Sequence, residues 1–478
     1  MLCFPRIPSP VFGRVSVKIK NHGAVGPLMS MFGTNGVRGI ANEYLSCELA
    51  VGMGRATAEV LGRKIAVAAD TRITSPMVKS ALCAGLMSAG ADIVDLGMVP
   101  TPALQLFVKT HDDVTGGVMI TASHNPPEFN GIKCISGDGT ECSKAEENAI
   151  EDAYANGVGT VSWKQVGSIV HASDASEQYV DSIVSKVDAD LIRSAGLTVC
   201  IDCANGASVN TTPLLLRKLG VRAITINGNA QGEFPGHPSE PTEDNLTDLK
   251  RMVAETGADL GAAHDGDADR CVFVTDQGKY VSGDVSLALL ARHMLGKCGG
   301  GRIMITVATS SLVKEVTETC GGEICYTAVG SPIVARTMMT GSGIFGGEEN
   351  GGLIFADHQY CRDGAMGLAR MLEMIAMSRK SLSELISELP RYTTIKKGIP
   401  CPDDKKASVT DIIAGNHRND SVNRTDGLRI DYDDGWVLLR PSGTEPKYRI
   451  YSESKDRDIA EKRAESFVEE FEEALGKL

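Results

Sequence analysis

The chain is 478 residues long, with 48 basic and 61 acidic residues and a formal net charge of −13. At roughly 100–200 residues per domain this length allows about three or four domains, and 42% hydrophobic with 23% charged residues is the mix of a folded globular protein. The acidic balance excludes a nucleic-acid binder working through a basic face, and no run of about 18 apolar residues is present to cross a membrane.

The first thirty residues stand apart. They carry no acidic residue, and Arg6, Arg14, Lys18 and Lys20 interrupt any apolar stretch that could serve as a signal-peptide core. Pro5, Pro8 and Pro10 disfavour an amphipathic transit helix. Residues 1–30 are therefore expected to be a disordered or loosely attached extension, with Met29 or Met31 as the natural start.

From Ser46 onward helical and strand patterns alternate. Leu49, Met53, Ala56 and Val60 recur at helical spacing and Gly62 terminates the run. Ile65 to Ala69 reads as a buried strand, and Ser75-Pro76 as an N-cap with proline at the first helical position, opening a helix to about Gly90. Ile93 to Leu96 is a strand, 102–110 a short helix, and Val118 to Ile120 a strand that ends in Thr121-Ala122-Ser123-His124-Asn125-Pro126.

The same order recurs. The strand Leu197 to Asp202, a helix over 211–219, the strand Ala223 to Ile226 and a helix over 245–256 lead to the strand Leu260 to Ala263 and then Asp265-Gly266-Asp267-Ala268-Asp269-Arg270. A third round from about 281 places Gly346 to Gly352 after a short strand at Ile344-Phe345. Near the end, Trp436 to Leu439 reads as a strand. Residues 457–476 read as an amphipathic helix with Ala460, Ala464, Phe467, Phe471 and Leu475 on one side. The pattern predicts three similar α/β domains with mixed, largely parallel sheets covered by helices, over 31–172, 173–277 and 278–388. A smaller C-terminal α+β domain follows over 389–478.

The 13 cysteines are scattered and odd in number, which suits reduced thiols in a cytoplasmic protein rather than a disulfide scaffold. Cys200 and Cys203 form a C-x-x-C pair, but no second pair at zinc spacing follows, so they are assigned to core packing.

Four polar segments carry the chemistry. Asp265, Asp267 and Asp269 alternate, so their carboxylates can converge; such a trio repels itself unless a cation neutralises it, and oxygen ligands suit Mg²⁺ or Mn²⁺. An EF-hand is excluded, since its sixth position demands glycine and here holds Arg270, followed by the strand-like Cys271 to Val274. Ser123 lacks the glycines of a nucleophile elbow, but beside a metal loop it can carry a phosphoryl group. Arg440, Ser442, Gly443, Thr444, Lys447 and Arg449 gather hydroxyls, a glycine and three cations in ten residues, an anion nest that is not a Walker loop. Glu348, Glu349 and Asn350 lie in a glycine-rich loop able to bond vicinal hydroxyls.

Together these loops resemble the α-D-phosphohexomutase family. The matches are T-A-S-H-N-P at 121–126 for its phosphoserine loop, D-G-D-A-D-R at 265–270 for its metal loop, G-E-E-N-G at 347–351 for its sugar loop and R-P-S-G-T-E-P at 440–446 for its phosphate loop. The segment Phe32 to Gly39 is similar to the family's arginine segment and Asn130 to Lys133 to its lysine stretch; the resemblance covers about residue 31 to the end. It implies interconversion of hexose 1-phosphate and hexose 6-phosphate through a phosphoserine enzyme and a hexose bisphosphate intermediate, of phosphoglucosamine mutase or phosphomannomutase/phosphoglucomutase type. Ser123, Lys133, His124, Arg38 and Arg270 would be catalytic, with Lys133 the first candidate for proton transfer. Ser123, Asp265, Asp267 and Asp269 would hold Mg²⁺. Glu348 and Asn350 would grip the sugar, and Arg440, Ser442, Gly443, Thr444 and Arg449 the non-reacting phosphate. The alternatives are a non-catalytic phosphosugar-binding protein and a serine-dependent sugar phosphatase.

The sequence departs from the commoner family pattern twice. Many members read G-E-x-S-G-H in the sugar loop, where this chain has Asn350 and Gly352, a form that looks like archaeal-type members. Val329-Gly330-Ser331-Pro332 stands where relatives often carry Gly-His or Gly-Asp. Both departures bear on the sugar chosen rather than on phosphoryl transfer.

Overall fold

The first stretch of the computed structural model holds β1 (Val37–Ile40), α1 (Cys47–Leu61), β2 (Lys64–Ala69), α2 (Ser75–Ser88), β3 (Asp92–Met98), α3 (Thr101–Thr110), β4 (Gly116–Ile120), β5 (Phe129–Ser136), α4 (Lys144–Asn156) and β6 (Ile169–His171). Next come α5 (Ala175–Val184), α6 (Ala189–Ala195), β7 (Thr198–Asp202), α7 (Thr212–Lys218), β8 (Arg222–Ile226), α8 (Thr247–Thr256), β9 (Leu260–His264), β10 (Cys271–Thr275) and β11 (Tyr280–Val281). A third stretch has α9 (Gly283–Cys298), β12 (Arg302–Thr306), α10 (Ser311–Thr319), β13 (Glu323–Thr327), α11 (Ser331–Gly341), β14 (Gly343–Glu348), β15 (Gly352–Phe355), β16 (Gln359–Arg362), α12 (Gly364–Ser378) and α13 (Leu382–Ser387). The last has β17 (Thr393–Pro400), α14 (Lys406–Asn416), β18 (Ser421–Asn423), β19 (Leu428–Tyr432), β20 (Gly435–Pro441), β21 (Lys447–Ser454) and α15 (Arg457–Gly476). The structure describes residues 31–33, 36–442 and 446–478; the expected extension over 1–30, and Gly443 and Thr444 of the phosphate loop, lie outside the described residues.

Local chemistry sets the helix ends. Ser46 caps α1 by accepting from the Leu49 N–H, and the Gly62 N–H returns to the Ala58 carbonyl. Ser143 and Glu146 form a reciprocal capping box at α4. Ser75 departs from expectation: α2 begins at Ser75 itself, after Thr74, and the Ser75 hydroxyl donates to buried Asp70 instead of capping. A buried carboxylate is a stronger acceptor than a helix end is a donor, so the side chain turns inward.

The first three sheets share a four-stranded core, to which β1 and β6, β11, and β16 are added at the edges. In each core three parallel strands are followed in sequence by an antiparallel fourth, arranged 4-3-1-2: β5-β4-β2-β3, β10-β9-β7-β8 and β15-β14-β12-β13. The expected repeat is thus a repeat of connectivity. In all three, the connection from the third strand to the antiparallel fourth carries a polar segment: 121–128, 265–270 and 349–351. Strands buried on both faces need continuous apolar runs, and β4, β9 and β10 are buried throughout. Cys200 and Cys203 pack into two different core clusters, which fits packing rather than a redox pair. No helix among the described residues is long and apolar enough to cross a membrane.

The fourth sheet is wholly antiparallel, β17-β21-β20-β19-β18. Alternation along β20 splits its two faces. Val437 and Leu439 pack with Val409, Ile413, Phe467 and Phe471 of α14 and α15, while Trp436 and Leu438 pack against Val307 after β12. Buried Arg429 lies over the rings of both Tyr326 and Trp436 and donates to the Val307 carbonyl, which joins the last sheet to the third unit.

The second and third units meet at buried Glu373 of α12. It accepts from the Asp188 N–H at 2.8 Å, Lys297 at 2.6 Å, His293 at 2.9 Å and Arg370 at 2.9 Å. Burial alone would raise its pKa, but these four partners outweigh burial and hold it well below the usual carboxylate range. A depressed folded-state pKa contributes stability that is fully present above the unfolded value near 4.3 and is lost as pH falls through the folded value. Glu373→Gln is therefore expected to lower stability at neutral pH by about 2 kcal/mol and to flatten the loss below about pH 4. Urea unfolding from pH 3 to 7 tests this; parallel curves for the two proteins would refute the assignment.

Candidate active site

Ser123 sits in the turn after β4 with a left-handed backbone (φ 52°), its N–H donating to Thr121 Oγ1 at 2.9 Å. Its hydroxyl donates to Asp265 Oδ2 at 3.0 Å across 142 residues, and lies 3.3 Å from His124 Nδ1. The approach depends on Gly266: a Cβ there would lie 2.6 Å from the Ser123 carbonyl oxygen, closer than side-chain carbon tolerates.

Beneath the turn lies Arg72, a residue the motifs did not single out. All five of its N–H donors are used, Nε on Asp70, Nη1 on the Pro126 and Phe129 carbonyls, and Nη2 on those of Ser123 and Asn125. The Phe234 ring covers its face at 5.0 Å.

Asp265, Asp267 and Asp269 are buried and each presents an oxygen within 4.8 Å of the others. Burial, then Asp269 and Asp267, push the Asp265 carboxyl well above its usual range. Burial also acts to raise Asp267, but Lys133, the Thr101 hydroxyl at 2.6 Å and Arg362 prevail and hold it low. Asp267 Oδ1 and Asp269 Oδ1 are buried without a hydrogen-bond partner among the described residues. Two orphaned carboxylate oxygens beside a self-repelling third fit a divalent metal ion, whose charge would satisfy all three.

The remaining expected residues surround this trio. Lys133, on β5, is buried and donates to Asp267 at 3.1 Å and Asp269 at 3.3 Å; burial opposes its charge, but these carboxylates and Glu141 raise its pKa and keep it an ammonium. His124 is pushed down to about 3 by burial, Arg270 and Arg38, and so is a neutral imidazole. Arg38 donates to Asn125 Oδ1 at 3.2 Å, and Arg270 stands 4.0 Å from both Asp265 and Asp269.

The sugar segment is a tight hairpin rather than a loop. Glu348 ends β14, Gly352 starts β15, and only Glu349 to Gly351 turn between them, because antiparallel pairing runs up to Glu348↔Gly352. Asn350 Oδ1 accepts from the Gly352 N–H at 3.1 Å, and the hairpin tip rests on the metal segment through Cys271 N–H to the Gly351 carbonyl at 3.0 Å. Glu348 is buried and accepts from the Gly330 N–H at 3.0 Å.

The last sheet reaches the same place. Arg440 donates to Asp426, which also accepts from the Val329 N–H, and Val329 adjoins the Gly330 that bonds Glu348. Arg440 and Arg449 stand opposite each other in register on β20 and β21. Ser442 is buried, its carbonyl accepting from Lys406 at 2.6 Å. Arg362, whose guanidinium donates to Asp269 and stands 3.9 Å from Glu348, continues these polar contacts from Arg440 and Glu348 to the aspartates and so to Ser123.

The family model for phosphoglucomutase/phosphomannomutase alpha/beta/alpha domain I matches residues 29–158, domain II 177–278 and domain III 282–392, and that for the C-terminal domain matches 399–470. The chain is 41% identical over 453 residues to a phosphoglucomutase/phosphomannomutase of Thermococcus kodakarensis, covering 93% of this chain and 99% of that one. It is 41% identical over 441 residues to a probable phosphoglucosamine mutase of Methanopyrus kandleri, covering 92% and 97%. The crystal structure of a phosphoglucomutase/phosphomannomutase family protein from Burkholderia thailandensis superposes with a TM-score of 0.83 at 27% identity, covering 92% of this chain and 97% of that one. With four domains matched in order and mutase relatives aligned nearly end to end, the chain belongs to the α-D-phosphohexomutase family and is an isomerase of phosphoglucosamine mutase/phosphomannomutase type.

Proposed function

We propose that the protein interconverts hexose 1-phosphate and hexose 6-phosphate by way of phosphorylated Ser123 and a hexose 1,6-bisphosphate. The observation that carries this is the Ser123 hydroxyl bonded to Asp265 at the edge of the carboxylate trio. In the first half-reaction the free sugar hydroxyl attacks phosphoserine; the Oγ–P bond breaks as the sugar O–P bond forms, and the hydroxyl proton passes to the enzyme. The bisphosphate turns around, and Ser123 Oγ takes the other phosphoryl group while the departing sugar oxygen is protonated.

Lys133, carried as an ammonium between Asp267 and Asp269, gives the departing oxygen its proton and is restored by the proton of the attacking hydroxyl, and His124, a neutral imidazole, is the weaker candidate for relaying it. Arg38 and Arg270 face the transferring oxygens, Glu348 and Asn350 hold sugar hydroxyls, and Arg440, Ser442, Gly443, Thr444 and Arg449 hold the non-reacting phosphate. Asp265, Asp267 and Asp269, with the phosphoserine, would hold Mg²⁺, which neutralises charge on the transferring group. The substrate is a hexose phosphate, and the buried unpaired cysteines fit the reducing cytoplasm.

Dephosphorylated protein is expected to gain one phosphoryl group per chain from glucose 1,6-bisphosphate. With a trace of that bisphosphate it is expected to turn over at least one of the glucose, mannose and glucosamine 1-phosphates, and kcat/KM ranks the three. Release of inorganic phosphate at the rate of conversion would instead mark a phosphatase, and binding without turnover a phosphosugar-binding protein.

A further inference from the structure

Arg362, at the end of β16, belongs to none of the four loops, yet it lies between two of them. Its guanidinium is buried; Nη2 donates to Asp269 Oδ2, and Nη1 stands 3.9 Å from Glu348 Oε2. One cation thus spans from the metal segment of the second unit to the sugar hairpin of the third. Its Nε–H is buried with no hydrogen-bond acceptor among the described residues, a donor left over at this junction.

The stem of Arg362 takes a place that another side chain would contest. A Cβ at Gly352 would lie 2.4 Å from Arg362 Cδ and 3.1 Å from Cγ. Glycine at 352 and arginine at 362 are therefore a matched pair, since the one vacates the space that the other fills.

We propose that Arg362 is a positioning residue for phosphoryl transfer, entering the space left by Gly352 to tie Glu348 to Asp269 and so hold the sugar in register with the carboxylate trio. This rests on the mutase reading above. The need for such a tie follows from the reaction: the bisphosphate turns around between two transfers, so the distance between its sugar-gripping carboxylate and the transfer site must be the same in both orientations. A guanidinium suits the task because it stays charged and offers donors along two edges.

The test compares Arg362→Met, Arg362→Lys, Arg362→Ala and Gly352→Ala on the best of the three hexose 1-phosphates, with Mn²⁺ titration of the unphosphorylated protein as a second readout. Arg362→Met is expected to lower kcat about 100-fold with KM nearly unchanged. Arg362→Lys, a point charge unable to reach both carboxylates, should fall about tenfold short of wild type. Added guanidinium should restore part of the kcat of Arg362→Ala, and Gly352→Ala should lower kcat while leaving every charge in place. Mn²⁺ should bind Arg362→Met more tightly than wild type, because a cation beside Asp269 has gone. Unaltered kcat and unaltered Mn²⁺ affinity in Arg362→Met, or an Arg362→Lys protein equal to wild type, would overturn the proposal. A wild-type protein that turns over no sugar while the Mn²⁺ shift persists would sink the mutase reading and leave the bridge standing.

Discussion

Alanine at position 123 is expected to remove interconversion almost completely while leaving the fold intact. Loss of the side chain that forms a covalent intermediate lowers turnover by on the order of 10⁴–10⁶. The structural effect is far smaller. The hydroxyl makes one buried hydrogen bond to Asp265, worth about 1 kcal/mol, and alanine inherits the left-handed backbone without added strain because serine already bears a Cβ there. The decisive measurement is intact mass after incubation with glucose 1,6-bisphosphate: wild type should gain one phosphoryl group and Ser123→Ala none. Mutase activity within tenfold of wild type, or a phosphoryl group retained by the variant, would remove Ser123 from the mechanism.

How much of this was legible in the sequence depends on whether a residue's role is set locally. Asp265, Asp267 and Asp269 could be grouped because alternation within six residues suffices to bring them together. The three α/β units could be seen in the order of strands and helices, although their common 4-3-1-2 sheet order needed the pairing registers. The glycines of the sugar segment signal a loop, whereas cross-strand pairing carries Gly346 to Glu348 into β14. Thr101, Arg72 and Arg362 are illegible in the sequence motifs for one reason: each acts on a partner far along the chain, with nothing periodic to announce it. A signal did exist for Arg72. It follows a parallel strand, and ligand-handling loops gather at the carboxyl ends of such strands, so Asp70-Thr71-Arg72 occupies the same kind of position as the segments after β4 and β9.

Arg72 is where fold and chemistry are most tightly joined, and its replacement should damage both. Five N–H donors meet five acceptors, four of them backbone carbonyls of the turn that presents Ser123 and the fifth Asp70, which also accepts from Thr121 and Ser75. Arg72→Leu leaves a buried carboxylate without its cation and takes a donor from each of four carbonyls, of which Pro126 keeps the Phe129 N–H and Asn125 the Ser239 hydroxyl, and is expected to lower stability by about 3–5 kcal/mol. The turn over 121–129 then loses its anchor, and a shift of Ser123 by about 1 Å against Asp265 is enough to lower turnover about 100-fold. Arg72→Lys separates charge from shape. An ammonium has three donors and cannot serve five acceptors in one plane, so at least two acceptors lose the bond that arginine gave them and about 2 kcal/mol is lost although the charge remains. Urea unfolding measures the first effect, and the rate of Ser123 phosphorylation by glucose 1,6-bisphosphate measures the second. If Arg72→Lys matches wild type in both, then charge alone holds the turn and the five-fold hydrogen bonding is incidental. If both rates and stabilities fall in the order arginine, lysine, leucine, the geometry of the guanidinium is what presents the serine to the aspartates.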